Sequence, residues 1–171
     1  MLKESEMSLS LEGQDASKSL YTEAQRERRD ATKWTTVQGV LAPVQFVVFL
    51  VSLGLVIRYL MTGDGYAVAT ASIVLKTAVL YAIMVTGAIW EKVVFGQYLL
   101  APSFFWEDIV SFAVIFCHTL YLFLLFSGLT SENNLIFVAL LAYFIYIINA
   151  AQFLWKFRLA RLEQPLEISH A

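Results

Sequence analysis

The chain has little charge. Of its 171 residues only 15% are Asp, Glu, Lys or Arg, against 58% hydrophobic, and the mean hydropathy is +0.65. That balance excludes an ordinary water-soluble domain and places the chain in a membrane. The formal net charge of -2 is uninformative by itself; the placement of the charges matters more, and no nucleic-acid partner is expected. Cysteine is nearly absent. The lone Cys117 excludes an internal disulfide, and with neither CxxC nor CxxCH around it no zinc knuckle or attached c-type haem is suggested. On an apolar run it reads as a small packing residue. The first twenty residues lack an apolar h-region, so no cleavable signal peptide is expected and the first spanning helix should insert the protein. There is no internal repeat and no strand signal. The apolar runs contain one histidine, His118, and no HxxxH pair, which argues against a bis-histidine haem carrier.

Four long apolar runs remain, which predict an all-α, four-helix membrane bundle. Residues 1–20 read as a disordered tail. Residues 21–36 predict an amphipathic interfacial helix, with Thr22 as N-cap and Gln25 at the capping-box position. The membrane domain spans 37–157, with helices expected at about 37–60, 67–90, 104–127 and 135–157, followed by a polar tail over 158–171. Pro43 should kink the first span, and Gln38 and Gln45 need partners in a dry environment. Residues 62–66 and 128–134 read as turns, and Ser103 is the natural N-cap of the third span. Arg and Lys crowd the segment before the first span and the end of the fourth, while those two turns carry none. The positive-inside rule therefore predicts that both termini are cytoplasmic, together with the connection between the second and third spans.

Ionisable residues within a span are costly and are candidates for function. Lys76 and His118 each lie about 14 residues, hence roughly 21 Å, from the cytoplasmic ends of their helices. Tyr143 and Tyr146 fall near the same layer. A second polar layer sits nearer the cytoplasm and includes Gln45, Glu91, Glu107, Asp108, Ser111, Asn149 and Gln152. At about 100° per residue, Glu107, Ser111, His118 and Tyr121 form one stripe, and Asp108 points about 100° away from it.

The richest stretch is Trp90 to Asp108, WEKVVFGQYLLAPSFFWED, with three acids and two Trp-acid steps. Its acids can also be read as interfacial groups compensating a helix dipole or pairing with nearby bases. This stretch, with YTEAQRERRDATKWTTVQGVLAPVQFVVFLVSL and ASIVLKTAVLYAIMVTGAIWEKVVF, resembles the 2-vinyl bacteriochlorophyllide hydratase family, from Tyr21 to the end of the fourth span.

The resemblance implies addition of water across the C3 vinyl group of a chlorophyllide or bacteriochlorophyllide in bacteriochlorophyll biosynthesis, giving a 1-hydroxyethyl group. It also implies residence in the cytoplasmic membrane of a photosynthetic bacterium. The enzyme would be a hydro-lyase with no cofactor and no metal of its own. Its partners would be a Mg-chlorin, water, membrane lipid and possible other enzymes of the pathway. Such hydration needs a protonated donor for the terminal vinyl carbon and a base for the attacking water. Glu107 and Glu91 are the expected donors, and Asp108 or His118 the expected base. His118 is also the candidate axial ligand to the substrate magnesium. Lys92, Arg29 and Lys156 are candidates for the substrate propionate, and Lys76, Tyr143, Tyr146, Ser111 and Gln45 for further contacts inside an apolar, chlorin-sized cavity facing the cytoplasm. The rival reading is a non-enzymatic chlorin carrier or assembly factor using the same cavity.

Overall fold

The computed structural model describes residues 20–162. The tail expected over 1–20 lies outside the described residues except for Leu20, and so does the C-terminal tail from residue 163 onward. The described residues form five helices and no strand: α1 Glu23–Ala31, α2 Lys33–Thr62, α3 Tyr66–Phe95, α4 Phe105–Ser127 and α5 Glu132–Leu162. The fold is all-α. Helices α2 to α5 are each long and apolar enough to cross a membrane.

These spans overrun most of the boundaries drawn from hydropathy. Helix α3 continues through Glu91 to Phe95, and α5 continues through residues 158–162. Thirty residues of α-helix measure about 45 Å, against a hydrocarbon core of about 30 Å. Polar residues with adequate helix propensity therefore prolong the spans into the interface. Helix α2 also runs unbroken through Pro43.

Tight turns pair α2 with α3 and α4 with α5. Between α2 and α3, Gly63 and Gly65 have φ values of 75° and 89°, a left-handed backbone that a side chain disfavours. The two hairpins join where α3 meets α4 and α2 meets α5. Phe49, Val56, Ile73, Leu80, Val114, Ile136 and Tyr143 fill the space between them. The outer face presents Met61, Phe116, Phe123, Phe126 and Leu129, an apolar surface suited to lipid and unsuited to water.

Helix α1 is set by its capping box: Gln25 N–H donates to Thr22 Oγ1 at 3.3 Å, and Thr22 N–H donates to Gln25 Oε1 at 2.9 Å. It lies across one end of the bundle, against α3. There Tyr21 is buried and stacks on Phe95 at 5.7 Å, with the Arg29 guanidinium 4.9 Å from its ring. Burial pushes the Tyr21 phenol up to about 12, so it stays neutral and is no proton source at neutral pH. The start of α2, the end of α3, the start of α4 and the end of α5 meet at this same charged end.

Ser103 does not cap α4. The capping residue is Phe104, with no side-chain cap bond, and Ser103 Oγ instead donates to the Leu20 carbonyl at 2.9 Å. The chain makes a turn before α4 begins, which leaves the hydroxyl free to hold the N-terminal segment in place.

Candidate active site

Two buried polar clusters cross the bundle. The deeper one joins α3 and α4 through Lys76 Nζ and His118 Nε2, 2.6 Å apart, with both residues 0% exposed. His118 Nδ1 lies 2.8 Å from the Val114 carbonyl. A carbonyl only accepts, so Nδ1 carries a hydrogen, and in either direction the bond to Lys76 occupies Nε2. Neither ring nitrogen is left to meet a magnesium ion or to take a proton from water. The axial-ligand and base roles expected of His118 both require the Lys76 bond to break. Lys76 Nζ lies 4.0 Å from the Tyr146 ring centroid. Tyr143 is engaged by Ser52 at 2.6 Å, and Ser52 by Ser72 at 2.7 Å. Lys76, Tyr143 and Tyr146, expected to touch substrate, here pack against one another and their neighbours.

The second cluster lies at the charged end. Glu91 comes from the last turns of α3, which continues past it, and Glu107 and Asp108 from the first turn of α4. They are 5%, 7% and 3% exposed. Glu107 Oε2 accepts from Lys156 Nζ at 2.8 Å, and Lys156 also donates to the Ser103 carbonyl. That ion pair occupies one of the two Glu107 carboxyl oxygens. Asn149 closes the layer below, donating to the Glu107 carbonyl and to Ser111 Oγ, each at 3.0 Å.

The Glu91 and Asp108 carboxyl groups are close neighbours from different helices. Two buried carboxyl groups side by side disfavour a second negative charge, so the pair favours a shared proton. Each also accepts from backbone: Leu100 N–H reaches Asp108 Oδ2 at 2.6 Å, and Ala101 N–H reaches Glu91 Oε2 at 3.3 Å. The shorter bond and the N-terminus of α4 favour negative charge on Asp108, whereas the C-terminal end of α3 disfavours it on Glu91. Of the two, Glu91 is the better placed to carry that proton. Helical phase had separated Asp108 from Glu107 but could not show its partner, because Glu91 comes from another helix.

The charged end is not an open mouth. Tyr21, Trp90, Phe95, Phe104, Phe153 and Phe157 pack there ring against ring, at centroid distances of 5.6–6.4 Å. A depression of about 550 Å³ instead opens sideways, along the outer face of α5, lined by Glu107, Ile147, Ile148, Ala151, Gln152 and Trp155. The sequence led to a cavity opening at this end; aromatic side chains pack there, and the groove described lies along α5 instead. The Gln152 Oε1 atom is buried without a partner, as are both amide atoms of Gln45. Gln38, by contrast, donates to Thr86 at 2.7 Å.

Among the propionate candidates, Lys92 donates to the Gly96 carbonyl at 2.7 Å and is exposed. Arg29 is paired with Asp30 at 2.7 Å, and its hydrogen bond holds the Asp30 carboxyl below its usual range. Lys156 is the one fixed beside the groove, through Glu107. The backbone donors Leu100 and Ala101 were missed from the sequence; nothing in a leucine-alanine pair announces them. No group of three or more metal-ligating side chains occurs among the described residues.

A model of the 2-vinyl bacteriochlorophyllide hydratase family matches residues 21–159. The chain belongs to that family. The matched region contains both polar clusters and the 96–104 connection. A relative from Cereibacter sphaeroides named 2-vinyl bacteriochlorophyllide hydratase is 67% identical over 144 residues, which are 84% of this chain and 89% of the relative. One of the same name from Rhodobacter capsulatus is 63% identical over 150 residues, 88% of this chain and 87% of the relative. No solved structure matches the chain.

Proposed function

We propose that this chain is a hydro-lyase that adds water across the C3 vinyl group of a bacteriochlorophyllide or chlorophyllide, giving a 1-hydroxyethyl group in bacteriochlorophyll biosynthesis. Family membership supports the reaction. The observation that carries the site is the close pair of Glu91 and Asp108 next to Glu107, which lines the groove. Glu91 holds a proton and gives it to the terminal vinyl carbon. The resulting positive charge on the inner carbon is delocalised by the macrocycle. Water attacks that carbon, and Asp108 takes its proton and returns it to Glu91. One proton is lent and recovered, so the sum is vinyl plus water.

A free chlorin ring is apolar and dissolves in the bilayer, so a groove open toward lipid suits its entry. Lys156, beside Glu107, places positive charge where the substrate propionate would sit. The substrate's magnesium stays with the macrocycle. The positive-inside rule supports a cytoplasmic location for the charged end, where Arg26, Arg28, Arg29, Lys33, Lys156 and Arg158 gather. The membrane would then be the bacterial cytoplasmic membrane.

The test is incubation of the purified protein in lipid with the vinyl pigment in oxygen-18 water, followed by mass spectrometry. Gain of one labelled water supports hydration. A pigment that binds and returns unchanged identifies a carrier instead.

A further inference from the structure

The 96–104 connection contains the one non-glycine residue with positive φ among the described residues, Leu100, at 60°. A leucine there is disfavoured because its Cβ crowds the carbonyl, a cost of about 1–2 kcal/mol. Side-chain packing does not explain it, since Leu100 is 36% exposed. What the conformation achieves is to turn two consecutive N–H groups inward, Leu100 toward Asp108 at 2.6 Å and Ala101 toward Glu91 at 3.3 Å. Consecutive N–H groups converging on one anionic site form a nest. The loop is held from its other side by Lys156 at the Ser103 carbonyl and by Ser103 at Leu20.

We propose that the Leu100 and Ala101 N–H groups form an anion nest that positions the proton of the carboxyl pair. The Leu100 N–H fixes the resting charge on Asp108 and so keeps the proton on Glu91. The Ala101 N–H takes up the charge that appears on Glu91 when its O–H bond breaks and the vinyl π electrons form the new C–H bond. Water's oxygen then forms the C–O bond, its proton passes to Asp108, and the pair resets. The inference rests on the reading of Glu91 as proton donor. The other charged or titratable groups facing the pair are Glu107, Lys156 and Tyr21.

The direct test replaces the amide at position 100 with an ester, by incorporating the α-hydroxy analogue of leucine into the full chain in lipid vesicles. This removes one N–H and keeps the side chain. We expect kcat to fall about 100-fold, the scale of losing one oxyanion-hole donor, with KM unchanged. In the substrate-free protein, the protonated-carboxyl infrared band that Glu91→Gln abolishes should shift or weaken. Leu100→Val, which cannot hold the left-handed backbone, should move both readouts the same way. Leu100→Gly keeps the N–H and the backbone, and should retain about tenfold more turnover than Leu100→Val. An ester variant with the wild-type kcat and band, or a Leu100→Gly as impaired as Leu100→Val, overturns the nest. Full turnover in Glu91→Gln sinks the donor assignment instead, and the band measured without substrate keeps the two failures apart.

Discussion

The two polar clusters of this bundle are built differently. In the deep cluster, side chains from different helices meet one another: Lys76 with His118, Ser52 with Ser72 and Tyr143. The Lys76–His118 and Ser52–Tyr143 bonds clasp the two hairpins together, and Ser52–Ser72 ties α2 to α3, across hydrocarbon where an unmet donor or acceptor costs several kcal/mol. At the charged end the three acids depend on a loop and on a lysine beside an open groove. A costly residue in a span is thus no guide by itself to chemistry. Lys76 is the deepest charge in the sequence, yet its contacts are those of a fastener. Glu91 lies nearer the interface, beside a second carboxyl group and a backbone N–H from a loop.

The comparison breaks most sharply at Glu91. Glu91→Gln should lower kcat about 1,000-fold, the middle of the range for losing a general acid, with helicity and pigment binding retained. Pigment turnover by mass spectrometry, with circular dichroism as control, reads this out. Wild-type turnover would return the chemistry to another acid, Glu107 first. Lys76→Met should behave in the opposite way. It leaves His118 Nε2 unpaired and should cost about 3 kcal/mol of stability, measured by unfolding in detergent. Turnover per folded molecule should fall far less than in Glu91→Gln; an equal fall at intact stability would erase the contrast between the clusters.

Lys156→Met frees the Glu107 carboxylate and one attachment of the 96–104 loop. We expect a loss of about tenfold in kcat/KM, worth about 1.4 kcal/mol, mostly in KM if Lys156 meets the propionate. A substrate ester lacking that charge should remove the difference between variant and wild type. The smallest effect is expected at Gln45, whose buried amide has no partner in the structure. Gln45→Met should raise the stability by about 1 kcal/mol, seen as a higher Tm. A lower Tm would show that the amide is satisfied by a bound molecule, water included.

Much of the fold was legible because hydropathy and helix signals are local. Long apolar runs locate the four spans, and Thr22 with Gln25 marks the start of α1 without knowledge of any neighbour. Span ends were less legible, because Glu91 and residues 158–162 are polar yet helical. Lys76 and His118 were placed at a common depth by counting residues, and they do meet. That they occupy each other, leaving His118 no free nitrogen, needed coordinates.

By itself, then, the sequence determined that this is a four-span helical membrane protein, and its specific residue runs carried the family. Those properties follow from apolar length and from residue identity along the chain. Tertiary structure decided that the charged end is plugged by aromatic rings, that the groove faces sideways, and that Glu91 sits beside Asp108 while Glu107 sits beside Lys156. The physical reason is that a carboxyl group's charge state is set by what surrounds it. For Glu91 those surroundings are Asp108 from another helix and a backbone N–H from a loop held in an unfavourable conformation.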